Sequence, residues 1–346
     1  MVARLVRLAV RRSLRDTRHV KVVPPRKAGG VVAEVYRQVE RDFRMLAPPV
    51  ALHSAAPEVL AASWMILRET LLAQGVADRA SKEAVATGVS VANACPYCAD
   101  VHGMTLAAMA DASDRSVLEA WAQASATAAT AGAQPFPPEQ APELIGVAVA
   151  FQYYNRMVNV FLRDSPFPSH VPESAKPKAR QVLGGVLRPS SDGGAQPGAS
   201  LDFLPAAPLP DDLSWARANT SVADAFARAY AAVEAAGARS VPASVRTLVH
   251  SRLSTWDGQA PGISRSWVDE AVAGLPAADQ PAGRLALAIV HASYQVDEDL
   301  VDAFRRTAPG DGRLIELAAW ASMTAARRIS TWLAVQAAKR ASTSST

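Results

Sequence analysis

Residues 81–109 read SKEAVATGVSVANACPYCADVHGMTLAAM, and the organisation of the chain can be worked outward from them. Alanine, lysine and glutamate favour a helix, and Val85, Val89 and Ala92 recur at helical spacing, so a helix is expected over 79–94. Asn93 and Pro96 then interrupt it. Proline is excluded from helix interiors but suits a first turn, so a second helix is expected to start at Cys95 and run through ADVHGMTLAAMADA. Cys95 and Cys98 are the only two cysteines in 346 residues. A thiol at a helix N-terminus sees the positive end of the helix dipole, which favours the thiolate. Cys98 and His102 are four apart and share a helix face, so the imidazole can exchange a proton with the thiol. Glu83, on the preceding helix, can orient that imidazole or relay its proton.

Glu83, then Cys95-Pro96-Tyr97-Cys98, then His102, within this helix–CxxC–helix text, resembles the core motif of alkyl hydroperoxidase D and the wider carboxymuconolactone decarboxylase-like superfamily. The resemblance implies that Cys98 attacks a hydroperoxide, that Cys95 resolves it as a disulfide, and that Glu83 and His102 form the proton relay. It implies a lipoyl-bearing or thioredoxin-like protein as reductant, and assembly into homo-oligomers. Alkyl hydroperoxidase D has a second histidine between its cysteines; Tyr97 stands at that position here.

Other uses of two cysteines are weighed against this one. They could be an inert buried pair. A zinc site would draw on Cys95, Cys98, His102 and Asp100, but a second CxxC or a paired-histidine motif is missing. A c-type haem needs histidine directly after the second cysteine, where Ala99 stands, and an iron–sulfur cluster needs more cysteines. A thioredoxin-like site needs βαβ surroundings, for which the flanking sequence has no strand pattern. No metal and no organic cofactor are therefore expected.

Composition supports an all-α protein. Alanine dominates, β-branched alternation is scarce, and 49% of residues are hydrophobic, enough for substantial cores. No apolar run is long enough to span a bilayer. A lone CxxC without further cysteines fits a reducing cytoplasm. Charge is uneven: residues 1–44 hold twelve Lys or Arg against four acids, a balance of +8, while the whole chain is +4. The segment 1–30 reads as a basic arm whose first fifteen residues could form a helix with Leu5 and Leu8 on one side. A membrane-surface or polyanion contact and a mitochondrial-type targeting peptide are weighed for it; a solvated arm packed on a neighbouring subunit is favoured. The run lacks interleaved aromatics, so nucleic acid is not expected.

Around the motif, Val35, Val39, Phe43 and Leu46 form one apolar stripe, and Leu60, Trp64, Leu67 and Leu71 another. Both read as core; Trp64 and Met65 could instead line the site. Phe151, Tyr153, Tyr154 and Phe161, in the helix expected from Pro142, could shape an apolar pocket, though core is the simpler reading. An active domain is placed at 31–165. Residues 166–213 are rich in Pro, Gly and Ser and read as a linker or functional lid, whose VLGGVL and LDFLP pieces could pack on the body.

Residues 214–346 read as a degenerate repeat. LIELAAWASMTAARRISTWL near 314 resembles LIGVAVAFQYYNRMVNVFL near 144, and an offset of about 163 sets Arg246, Gly258, Pro261 and Arg265 opposite Glu83, Cys95, Cys98 and His102. The frame is kept and the chemistry lost. His250 and His291 read as structural. The acids Asp297, Glu298 and Asp302 read as a solvated first helical turn, and the GDG at 310–312 as a turn.

The function expected is a thiol-dependent peroxidase, with two alternatives. One is a non-catalytic redox sensor or assembly protein, suggested by the basic arm and the silent repeat. The other is a carboxymuconolactone decarboxylase-type acid–base enzyme, against which the CxxC argues.

Overall fold

The computed structural model describes residues 14–109, 115–167, 171–188 and 194–343. Among these the chain is helical throughout, with a single isolated bridge between Ala73 and Ala195. The helices used below are α1 (Gly30–Asp42), α2 (Pro57–Leu67), α3 (Arg79–Ala92), α4 (Pro96–Ala107), α5 (Ser116–Ala124), α6 (Ala141–Phe161), α7 (Lys176–Leu187), α8 (Thr220–Ser240), α9 (Ala243–Thr255), α10 (Ser266–Val272), α11 (Gln280–Ala292), α12 (Glu298–Thr307) and α13 (Asp311–Thr343). None is long and apolar enough to cross a membrane.

The halves are a duplicated helical frame, the second degenerate. α2 packs on α8 and α6 on α13, so the long apolar helices of each half find partners in the other. One continuous core follows, in which α6 is buried along nearly its whole length and α13 along its described part. A helix apolar on all sides can exist in water only if it is enclosed this way. Trp64 and Met65 belong to this core: Trp64 donates from Nε1 to Gln38 Oε1 at 2.5 Å, and neither residue reaches the thiols' cavity. His250 and His291 are aromatic-packing residues, against Trp320 and between Trp256 and Trp267 respectively. Asp297 caps α12 by accepting from the Leu300 N–H at 3.1 Å.

The basic helix expected around Leu5 and Leu8 lies outside the described residues. From Leu14 onward the segment is part of the body. Leu14 and Val20 are buried, the Arg18 N–H donates to Phe161 O at 2.7 Å, and the Val23 N–H donates to Ser54 Oγ at 2.9 Å.

Residues 166–213 are more ordered than their composition indicates. They hold α7, which lies against α4. Gly184 explains the approach: a Cβ there would sit 2.4 Å from Met104 O, so only glycine lets the helices come this close. Arg180 on α7 pairs with Asp100 on α4 at 2.6 Å. Further on, buried Glu69 accepts from the Gly198 N–H at 2.7 Å and from Ser200 Oγ at 2.7 Å. Arg68 beside it pairs with Asp42 at 2.7 Å and donates to Gln196 O at 2.9 Å. These residues occupy a single π turn, Arg68–Leu72, that ends α2. Composition scored this segment as linker because its Pro and Gly are numerous; tertiary hydrogen bonds supply the order that local propensity does not.

His53 gives the fold an acid-sensitive point. It is fully buried, its Nδ1 donates to Val50 O at 3.1 Å, and its Nε2 accepts from Tyr153 Oη at 2.9 Å. Burial pushes its pKa down to about 4. A histidine depressed in the folded state stabilises the fold above the unfolded value near 6.5, and that contribution is lost as pH falls towards 4, on the order of 3 kcal/mol. Urea unfolding at pH 7 and pH 4.5 is expected to show this loss, and a His53→Gln protein a smaller one.

Candidate active site

The motif sits at a sharp corner. Asp78 caps α3 by accepting from the Ser81 N–H at 2.8 Å. Asn93 ends that helix, Ala94 takes a left-handed φ of 48°, and Cys95 becomes the N-cap of α4 with Pro96 in its first turn. The Cys95 N–H still donates to Ser90 O at 3.0 Å, and the Ala99 N–H to Cys95 O at 3.0 Å, so the turn is tied at both ends. Gly88 seats α3 against α5, since a Cβ there would lie 2.3 Å from Glu119 O. Cys95 and Cys98 are both buried free thiols.

Glu83 and His102 meet as expected: Glu83 Oε2 accepts from His102 Nδ1 at 2.6 Å. A carboxylate can only accept, so Nδ1 carries the proton and the imidazole's Nε2 is left as the base. The other Glu83 oxygen takes two bonds from Arg79, at 2.8 and 2.6 Å. Burial opposes a charged Glu83, but Arg79 and His102 outweigh it and hold the carboxyl below its ordinary value. His102 is fixed from the other side by the edge-to-face ring of Phe151, with centroids 4.5 Å apart.

Cys98 and His102 open onto a cavity of about 70 Å³. Its walls are apolar: Phe43 from the end of α1, Leu67, Phe151 and Tyr154 from the core helices, and Leu183 and Leu187 from α7. Of the aromatics singled out in the sequence, Phe151 and Tyr154 line it, while Tyr153 turns to His53 and Phe161 to the core. Tyr97, in the place of the second histidine, is a wall residue too. Asp100 is held by Arg180, and among the described residues the donors weighed for zinc do not form a group able to hold a metal ion.

Inside this pocket, burial pushes the Cys98 thiol well up, and neighbouring Cys95 pushes it the same way. The resting thiol is therefore protonated and needs a base to react.

Residues 58–135 match the carboxymuconolactone decarboxylase family. Over 338 residues the chain is 36% identical to an alkyl hydroperoxide reductase of Mycobacterium tuberculosis, covering 92% of this chain and 95% of that one. The chain belongs to the alkyl hydroperoxidase D-like branch of the carboxymuconolactone decarboxylase-like superfamily. The family match spans α2 to α5 and contains Glu83, both cysteines and His102, whereas the full-length similarity also takes in the thiol-free second half.

The sequence reading gave four residues of this alkyl hydroperoxidase D-like site no role in it. Arg79 lies four residues before Glu83, at ion-pair spacing on one helix, and could have been found from that. Asn155, which bonds Ser90 and Asn93 at the corner, was visible only as a polar residue inside an apolar helix. Leu183 and Leu187 belong to the VLGGVL piece expected to be able to pack on the body, but that they wall this cavity depends on where α7 docks.

Proposed function

We propose that this chain is a thiol-dependent peroxidase that reduces alkyl hydroperoxides through a Cys95/Cys98 dithiol–disulfide cycle. The observation that carries the reading is the buried 2.6 Å contact between Glu83 and His102 beside Cys98 at an apolar cavity. That the M. tuberculosis relative is named an alkyl hydroperoxide reductase supports the substrate class.

His102 Nε2 takes the Cys98 proton, and Glu83 stabilises the imidazolium that forms. The thiolate attacks the terminal hydroperoxide oxygen. The O–O bond breaks, Cys98 becomes a sulfenic acid, and the departing alkoxide takes the proton from His102 and leaves as the alcohol. Cys95 then attacks the sulfenic sulfur, forming the disulfide and releasing water. An external dithiol restores both thiols by exchange. Apolar walls favour an alkyl group over water near the peroxide.

The test is peroxide consumption by the reduced protein with cumene hydroperoxide and dihydrolipoamide. Sustained turnover, with a Cys95–Cys98 disulfide trapped when the dithiol is withheld, is the expected result. One stoichiometric oxidation with neither dihydrolipoamide nor a thioredoxin system restoring the thiols would sink the peroxidase reading in favour of a sensor.

A further inference from the structure

A second cavity, of about 660 Å³, adjoins the cavity of the thiols. Phe43, at the end of α1, and Leu187, at the end of α7, are wall residues of both. In each case the next residue along the chain is an arginine, and it lines the second cavity alone. Arg44 follows Phe43, and Arg188 follows Leu187. The backbone bends to arrange the first of these. Arg44 takes a left-handed φ of 64°, which residues with a side chain rarely adopt. Its neighbours Phe43 and Met45 both line the thiols' cavity, and Arg44 does not.

The charges around the second cavity leave a positive surplus. Asp42 pairs with Arg41 and Arg68, and Arg68 also meets Glu69, so those four balance. Arg79 is matched by Glu83, Lys82 by Glu143, and Arg115 by Asp78. Arg44 and Arg188 are left over: among the described residues, neither side chain makes an ion pair or a hydrogen bond. Arginine stays charged at any pH the fold tolerates.

We infer that the second cavity takes the carboxylate of a fatty-acid hydroperoxide, whose alkyl chain passes by Phe43 and Leu187 to bring the hydroperoxide to Cys98. The inference rests on the peroxidase reading and narrows its substrate class. A cavity of about 70 Å³ encloses only the reacting end of a long-chain hydroperoxide, so the rest of such a molecule must extend beyond it. Across Phe43 and Leu187 the walls change from apolar to basic, the same order of groups that a fatty acid carries. A guanidinium holds a carboxylate through charge-assisted bonds about twice as strong as neutral ones. One narrow apolar cavity suits one chain, which favours a free acid over a two-chain phospholipid. The chemistry is unchanged: Cys98 takes the terminal oxygen, the two thiols become a disulfide with release of water, and the hydroperoxy acid leaves as the hydroxy acid.

The test compares linoleic acid hydroperoxide with its methyl ester, both below micelle-forming concentrations, with dihydrolipoamide as reductant. The ester lacks the charge and keeps the chain. kcat/KM is expected to be about tenfold higher for the acid, and this ratio to fall close to one in an Arg44→Gln, Arg188→Gln protein. A damaged fold lowers both rates, so the ratio reads the charge. Equal rates for acid and ester in the native protein would overturn the inference. So would a variant that keeps the ratio, including one that only slows re-reduction of the disulfide, which would assign the arginines to the reductant. A binding measurement separates this inference from the peroxidase reading. Calorimetry with oleate, which carries no peroxide, is expected to give about tenfold weaker binding to the folded double variant than to the native protein. That difference in a protein that turns over no hydroperoxide would sink the peroxidase reading and leave the carboxylate site standing. Equal oleate binding would sink the site whatever the turnover.

Discussion

A Cys98→Ser protein is expected to consume no cumene hydroperoxide above the uncatalysed background, while a Cys95→Ser protein consumes about one equivalent and then stops. The asymmetry follows from position. Cys98 lines the cavity beside His102, whereas Cys95 caps α4 and is absent from the cavity wall. A serine hydroxyl at residue 98 is far less acidic than a thiol, and its oxygen attacks peroxide poorly and cannot become a sulfenic acid, so the whole cycle is lost. Serine at residue 95 leaves attack intact but removes the sulfur that would condense with the sulfenic acid. Cys98 is then expected to accumulate as sulfenic acid, adding about 16 Da to the protein or reacting with a dimedone-type probe. The reverse outcome, burst kinetics in Cys98→Ser and silence in Cys95→Ser, would exchange the two roles.

The second large effect is expected at Glu83. Glu83→Gln keeps the side-chain volume but removes the charge that stabilises imidazolium and fixes the His102 tautomer. A positioned general base contributes about 10²–10⁴-fold, and that is the loss expected in kcat/KM near neutral pH. His102→Gln is expected to cost about as much, and the double variant little more, because the two side chains act as one base. The deficit should shrink as pH rises, since solution hydroxide increasingly ionises Cys98 without help. A Glu83→Gln protein with full activity at pH 7 would remove the relay from the mechanism. Arg79 complicates stability more than rate. It loses two short hydrogen bonds to Glu83, but it is partly exposed and can turn to water.

Much of the site was legible because it is local. Asp78 to His102 is one helix–turn–helix unit, and helix caps, a proline at a first turn and i,i+4 spacing are all sequence-range effects. The apolar stripes were legible too: Val35, Val39 and Leu46 are buried, as are Leu60, Trp64, Leu67 and Leu71. Less legible was residue choice within a stripe. Phe43 and Leu67 share helical spacing with their buried neighbours, yet they line the cavity. Which member of a face meets a void is decided by the element packed opposite.

The reading of 166–213 stopped at a linker or lid whose VLGGVL piece could pack on the body, and the reason is physical. Proline and glycine lower helix propensity and predict coil, but α7 is held by Gly184 against Met104 O and by Arg180 on Asp100, and its Leu183 and Leu187 close the thiols' cavity. None of those contacts is encoded within a few residues of α7. The offset drawn between the two halves met a similar limit. It set α9 opposite α3, whereas α11 lies against α13 as α3 lies against α6, a matter of packing that short apolar matches do not distinguish.

By itself, then, the sequence determined the helical class, the corner that carries the two thiols, and the carboxylate–imidazole pair one helix apart, because each depends on propensity, capping or spacing along a few turns. The tertiary structure alone decided that Cys98 faces an apolar cavity roofed by α7 and that Asp100 belongs to Arg180. Those depend on which surfaces meet when α6 is buried between the two halves, and burial is a property of the whole chain.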